Sequence, residues 1–428
     1  MNIELINTGT ELVLGRVLNT HQQWICRQLA DHGYRVTRQV TVADAATDIQ
    51  QAVREALARA DLVIITGGLG PTSDDLTRDL IADLLGKKLR EDEAVLANVE
   101  NFFASRKRPM PEQTRVQALV PEGAIVLHNA HGTAPGLAIE VQPNPSRRAA
   151  KTSWVIMLPG PPRELRPMFN EQVLPLIRER LPHANAFVSQ TLKTTGLGES
   201  LVEEKIAGPL RQLTASGLEI GYCARTGEVD LRLAASGADA AEVIAEAEQI
   251  VRPLLGSYIF GEGDEQLETV IVRRLTERKE TLALAESCTG GHLANRITNV
   301  PGASVIFLAG LVTYSNGAKQ KFLGVRAETL AKHGAVSEPV VREMAEGARR
   351  LTGADHALAV TGIAGPGGGS PDKPVGSVFI ALATPHHTFV LNPVNRYDRE
   401  TFKSVTSQQA LELLWRTLLD EIRMTKSE

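Results

Sequence analysis

The sequence predicts an α/β protein built as a three-domain chain, and three observations carry that expectation. Up to about residue 170, short apolar runs alternate with segments of helical period. The acidic, glycine-containing GEGDEQ at 261–266 then interrupts the chain before a fresh helix–strand–helix succession. At 428 residues the polypeptide also exceeds what one hydrophobic core usually organises. Boundaries are expected at 1–172, 173–260 and 264–426.

Bulk composition narrows the function class. Hydrophobic residues make up 43% and charged residues 22%, ordinary values for a globular chain. The net charge of −4 and the absence of a Lys/Arg block argue against a nucleic-acid partner. Cys26, Cys223 and Cys288 are odd in number and form no C-x-x-C, so neither a disulfide framework nor a zinc knuckle is expected. A reducing cytoplasm is the expected compartment. MNIELINTGTEL has no basic stretch followed by an apolar core, so no signal peptide is expected. No apolar run reaches the roughly 20 residues of a membrane span.

IELINT (3–8) reads as a buried strand, and HQQWICRQLADHG (21–33) as a helix whose apolar face carries Trp24, Ile25 and Leu29. YRVTRQVTV, DIQQAVREALARA and DLVIIT continue as strand, helix and strand, with further strands at 124–127, 136–141 and 154–158. Continuous apolar strands between helices predict a doubly wound parallel sheet covered on both faces. QPNPSRRAAKTS reads as a surface loop. The middle region holds EVDLRLAAS, alternating like a strand, and the helix AAEVIAEAEQIV. The last region opens on the helix LETVIVRRLTERK and closes on the helix QQALELLWRTLLDEI.

DLVIITGGLGPTSDDLTRDLIADLLG joins a buried strand to a helix expected to start near Ser73. Gly67, Gly68 and Gly70 let backbone N–H groups approach a ligand, and the helix end favours an anion. Asp74 and Asp75 would repel a bare phosphate but suit a hard divalent cation bridging to a diphosphate; the plain alternative is that Ser73 and Asp74 cap the helix. With Thr72, the string favours the cation–diphosphate reading. Thr10 and Glu11 of TGTELVLG, and Gly132 and Thr133 of NAHGTAPGLAIE, could face the same pocket. Gly136 reads as a turn glycine.

LALAESCTGGHLANR ends a strand at Glu286 and sets Ser287, Cys288 and Thr289 before Gly290 and Gly291. A serine nucleophile needs a base. His292 and His333 sit in no partner motif, whereas VTYSNGAK brings Tyr314 and Lys319 to a strand end and a helix start. Ser–Lys pairs are a known variant of triad chemistry. A lone lysine is more commonly a solvated helix residue, as Lys321 illustrates. Thr361 ends another strand before the glycine-rich TGIAGPGGGSPDKPVG, whose N–H groups suit an oxyanion or phosphate; the plain alternative is a flexible connector. Cys288 would lie in the first turn of a helix that began there, where the dipole helps a thiolate, but it reads as a small core residue.

Several of these strings together resemble the CinA family across nearly the whole chain. TGTELVLG, GGLGPTSDDLT, GTAPG and LPGPPREL resemble its molybdopterin-binding-like domain. TTGLGES and EVDLRLAA resemble its small KH-like α+β domain, here without a G-x-x-G clamp. AESCTGG, VTYSNGAK, GAVSEP, TGIAGPGGG and KPVGSV resemble its C-terminal nicotinamide-nucleotide amidase domain of the PncC type.

The resemblance implies deamidation of nicotinamide mononucleotide by Ser287 with Lys319 as base, supported by Tyr314, Ser304 and Thr361. Arg399, in a string that only partly matches the family's, would bind the phosphate, near Gly290, Gly291, Gly362 and Gly365. It also implies ADP-ribose cleavage at the N-terminal site. There Thr10, Gly67, Gly68, Gly70, Thr72, Gly132 and Thr133 would hold the diphosphate, and Glu11, Asp74 and Asp75 a divalent metal of the Mg, Co or Mn type, potassium being a further cation it allows. No cofactor is implied for the amidase. LPGPPREL for the usual L-P-G-V-P, and His21 for a commoner asparagine, are departures in the N-terminal domain. A homodimer is the family expectation. The alternatives are a non-catalytic molybdopterin or nucleotide-binding scaffold and a competence-associated partner protein.

Overall fold

The computed structural model describes residues 1–142, 152–182 and 186–419. Most of the expected loop QPNPSRRAAKTS, at 143–151, and the 420–426 end of the expected last domain lie outside the described residues. The chain forms two compact units, Met1–Phe187 and Val188–Glu428.

The strands of the first unit are β1 (Ile3–Thr8), β2 (Val36–Val42), β3 (Leu62–Thr66), β4 (Leu89–Glu91), β5 (Leu119–Pro121), β6 (Ile125–Leu127), β7 (Gly136–Val141) and β8 (Ser153–Leu158). Six of them form one sheet in the order β2-β1-β3-β8-β7-β6. Side chains alternate between two cores, as the period of two demands. Ile3, Leu5, Leu62 and Ile64 pack with Ile25, Leu29 and Phe169 on one face. Ile6, Val63 and Ile65 pack with Ile49, Val53 and Ile81 on the other. The expectation of a parallel sheet needs correction at one side. β2, β1, β3 and β8 are parallel, but β7 and β6 join antiparallel. The short link from β6 to β7 leaves no room for a crossover helix. Gly136 opens β7 rather than making a turn, and a side chain there would collide with Met168.

The second unit begins within β9 (Phe187–Thr195) and continues with β10 (Glu219–Arg225), β11 (Glu228–Ser236) and β12 (Ile259–Glu262), in the order β10-β11-β9-β12. Val229, Leu231 and Leu233 of β11 face Ile244, Ala247 and Val251 of the helix Ala240–Leu255. A five-stranded sheet follows, with β13 (Leu282–Glu286), β14 (Phe307–Val312), β15 (His356–Gly362), β16 (Val378–Ala383) and β17 (Thr388–Leu391) in the order β14-β13-β15-β16-β17. β14, β13 and β15 are parallel, so their carboxyl ends lie together, where open α/β sheets place ligands.

Leu282 and Leu284 enter a core with the helices Leu267–Arg278 and Arg399–Leu418, and Ala283 and Ala285 face the helix Glu338–Thr352. Phe260 of β12 belongs to the first of these cores, which ties the middle domain to the last. Among the described residues no helix is long and apolar enough to cross a membrane.

Candidate functional site

The carboxyl end of β13 carries a sharp turn from strand to helix. Glu286, wholly buried, turns its carboxylate onto the next helix and accepts from the N–H groups of Gly291 (3.0 Å), Leu293 (3.1 Å) and Ala294 (2.8 Å). Charge-assisted bonds of this kind satisfy a helix end strongly. The helix therefore begins at His292, with Gly291 as its cap at φ 94°. Residues 288–291 form the turn, so Cys288 does not occupy a first helical turn. Sequence reasoning missed Glu286, whose signal was a carboxylate at the end of an otherwise apolar strand.

Within that turn Ser287 and Cys288 part company. Cys288 points into the core of Leu284, Leu293 and Phe402, and burial pushes its thiol up to about 12. Ser287 faces Lys319, with 3.0 Å between Oγ and Nζ. Ser315 caps the helix Asn316–Leu323 by accepting from the Ala318 N–H at 3.1 Å, which turns Lys319 inward. The lysine is 1% exposed, and its Nζ also donates to the carbonyls of Thr313 (2.8 Å) and Tyr314 (3.2 Å). Among the described residues no carboxylate forms a salt bridge with it, and burial lowers its pKa. In the neutral amine two N–H bonds satisfy the two carbonyls and leave the lone pair for the Ser287 hydroxyl.

The neighbouring positions divide. Tyr314 is exposed and accepts from Arg399 Nη2 at 2.8 Å through its hydroxyl. Arg399 Nη1 donates to the Gly365 carbonyl at 3.0 Å, so Tyr314, Gly365 and Arg399 come together. Thr361 adjoins Val360, whose carbonyl accepts from the Ser287 N–H at 3.0 Å, and its hydroxyl donates to Ala335 at 2.9 Å. Gly290, at φ 62°, has open space where a side chain would stand. Gly362 instead closes on the Ser377 backbone. Ser304 is a correction: it lies in the turn Ala303–Val305 before β14, and Ile306 beside it accepts from Leu282, the first residue of β13. That is the end of the sheet away from Ser287.

In the first unit a cavity of about 630 Å³ opens at the carboxyl ends of β1 and β3. Glu11, Gly67, Gly68, Gly70, Asp74, Asp75 and Thr133 line it, as does His21, whose ring burial biases toward the neutral form. The helix after the glycine turn starts at Thr77, not near Ser73. Asp75 accepts from the Thr72 N–H (3.0 Å) and hydroxyl, closing a turn of its own.

Three expected diphosphate contacts change. Thr72 spends its hydroxyl on that turn and does not line the cavity. Thr10 is paired reciprocally with Asp44, its N–H donating at 2.8 Å and its hydroxyl accepting at 3.1 Å, and Thr8 lines the cavity instead. Gly132 packs on the buried Glu164, with which a side chain would collide. Glu164 also accepts from Asn129 at 2.9 Å; neither residue stood out in the sequence.

The expected metal residues Glu11, Asp74 and Asp75 share the cavity, but among the described residues no three His, Cys, Asp or Glu side chains form a metal cage. The donor set fits magnesium, which keeps several waters and takes one or two carboxylates. Among the described residues no lysine or arginine lines the cavity, so an anion there would need a cation to offset the carboxylates.

Comparisons with known proteins agree with this layout. The family models matching the chain are "Probable molybdopterin binding domain" over residues 4–179, "Damage-inducible protein CinA KH domain" over 189–261 and "CinA C-terminal domain" over 264–418. A CinA-like protein of Akkermansia muciniphila is 44% identical over 419 residues, 96% of each chain. One from Gemmatimonas aurantiaca is 39% identical over 426 residues, 98% of this chain and 97% of that protein. A solved structure of a competence-damaged protein (CinA) superfamily protein from Klebsiella pneumoniae is 38% identical. It covers 36% of this chain and 96% of its own, with a TM-score of 0.35.

Proposed function

The chain belongs to the CinA family, and on that premise we propose that it hydrolyses the carboxamide of nicotinamide mononucleotide to nicotinate mononucleotide and ammonia. The observation that carries this reading is the buried pair of Ser287 and Lys319, 3.0 Å apart, at the carboxyl end of a parallel sheet. Lys319, neutral because it is desolvated, takes the proton of Ser287 as Oγ attacks the carboxamide carbon. The proton passes to the leaving nitrogen as the C–N bond breaks and ammonia departs. Water then attacks the ester, giving its proton to Lys319, and Ser287 Oγ leaves reprotonated. The Ser287 N–H is already given to Val360, so oxyanion donors are sought in the turn after Ser287 and the loop after Thr361. Arg399, oriented by Tyr314 and Gly365, supplies a positive charge for the nucleotide phosphate.

The N-terminal cavity supports a second activity, cleavage of ADP-ribose to AMP and ribose 5-phosphate. Glu11 and Asp74 would hold a divalent cation there, with Asp75 committed to Thr72, and the cation when bound would neutralise diphosphate charge. The glycine turn and Thr133 would orient the phosphates. A cytoplasmic homodimer completes the reading. The exposed apolar residues Leu308 and Val312 on edge strand β14 favour a covered edge.

Incubation with nicotinamide mononucleotide, and separately with ADP-ribose plus magnesium, tests both activities through ammonia and AMP. No product in either reaction would return the protein to the reading of a binding scaffold.

A further inference from the structure

The middle domain grips the helix that presents Arg399. β9 ends in TTG and the β10–β11 turn is RTGE, placing Gly196 and Gly227 at φ 80° and 75°. Both glycines sit against the helix Arg399–Leu418. A side chain at Gly227 would meet Gln408 Cγ at 2.7 Å, and one at Gly196 would strike the Glu412 carboxylate. Gln408 is buried and donates through Nε2 to Thr195 Oγ1 and Glu228 Oε1, each at 3.0 Å. Glu228 is itself buried in the same seam as the Lys193–Asp230 ion pair.

The same helix touches the nucleophile's turn. Ser407, next to Gln408, lies with its Oγ 3.0 Å from Nδ1 of His292, the first residue of the helix that Glu286 caps. At its start Asp398 caps it by accepting from the Glu400 and Thr401 N–H groups, and Arg399 reaches Tyr314 and Gly365. Gln408 lies nine positions after Arg399, roughly 14 Å of helix rise. A rigid helix fixed at Gln408 therefore fixes the axial position and rotation of Arg399.

We infer that the middle domain is a positioning element for the amidase, holding Arg399 at the nucleotide phosphate through Thr195, Glu228 and Gln408. The inference rests on the amidase reading for its kinetic consequence, but the mechanical link stands on the hydrogen bonds alone. Gln408 and Glu228 act through another residue and touch no reacting atom.

The test is steady-state ammonia release from nicotinamide mononucleotide by the full chain, with hydrogen exchange over residues 396–406. Gln408→Leu should raise KM about 5- to 10-fold, as expected for the loss of a buried hydrogen-bonded anchor, with kcat within about 2-fold. Exchange near Arg399 should rise in parallel. Thr195→Val, a gentler change, should move both readouts the same way by less. Glu228→Gln keeps an acceptor for Gln408 and should preserve KM. An unchanged KM with unchanged exchange in Gln408→Leu and Thr195→Val would overturn the inference. So would losses of kcat and thermal stability with KM unmoved. If the wild type releases no ammonia, the amidase reading falls, and the exchange comparison still decides the link.

Discussion

Lys319 Nζ lies 3.0 Å from Ser287 Oγ, and the same nitrogen is held by the carbonyls of Thr313 and Tyr314. The two carbonyls occupy two directions around the amine, so the serine faces the third. This fixes the lone pair of a neutral lysine on the hydroxyl proton, which is the geometry a general base requires. Lys319→Met keeps the length of the side chain and removes the base. Ammonia release should fall by at least about 100-fold while the far-ultraviolet circular dichroism stays that of the wild type. Retained turnover would show that another group takes the proton.

The lysine also sets a pH dependence. Burial lowers its pKa below the ordinary lysine value, and the form proposed as the base is the neutral amine. The rate should therefore climb with pH and level off before the pH at which an exposed lysine titrates. Stability follows the same sign. Between the lowered and the ordinary value the unfolded chain binds more protons than the native one, so the contribution of Lys319 grows as pH rises through that window. Urea melts across that range should show a slope that Lys319→Met loses.

Much of this site was legible in the sequence because strand-to-helix turns are written locally. AESCTGG and YSNGAK each mark a strand end, a cap and a polar side chain within a few residues. Contacts that depend on the third dimension were not legible. The helix after GGLG starts at Thr77 because Asp75 bonds back to Thr72, and Thr10 is lost to Asp44, 34 residues away. Ser304 sits before β14, away from Ser287, because parallel pairing puts the turn entering β14 at the opposite end of the strands. Gln408 looked like one helix residue among many, and only the approach of Gly227 reveals its buried role.

Thiol chemistry offers a third prediction. Cys223 is exposed, Cys26 half-buried, and Cys288 buried with its thiol pushed up to about 12. Iodoacetamide at neutral pH should modify Cys223 first and leave Cys288 and ammonia release untouched. Inactivation that tracks labelling of Cys288 in peptide mass spectrometry would contradict the core assignment.

At the N-terminal cavity, carboxylates with no lysine or arginine among the described lining residues would require a cation before a diphosphate could bind. Asp74→Asn combined with Glu11→Gln should lower AMP formation from ADP-ribose by about 10- to 100-fold and weaken magnesium binding in calorimetry. Ammonia release from nicotinamide mononucleotide should not change. Equal loss of both activities would point to misfolding instead.

The central claim is that Ser287, and not the adjacent thiol, is the nucleophile. Ammonia release from nicotinamide mononucleotide by the wild type, Ser287→Ala and Cys288→Ala, measured side by side, tests it most directly. The expected result is background rate for Ser287→Ala and a rate within a few-fold of wild type for Cys288→Ala. Turnover that survives Ser287→Ala but is lost in a folded Cys288→Ala protein would contradict it.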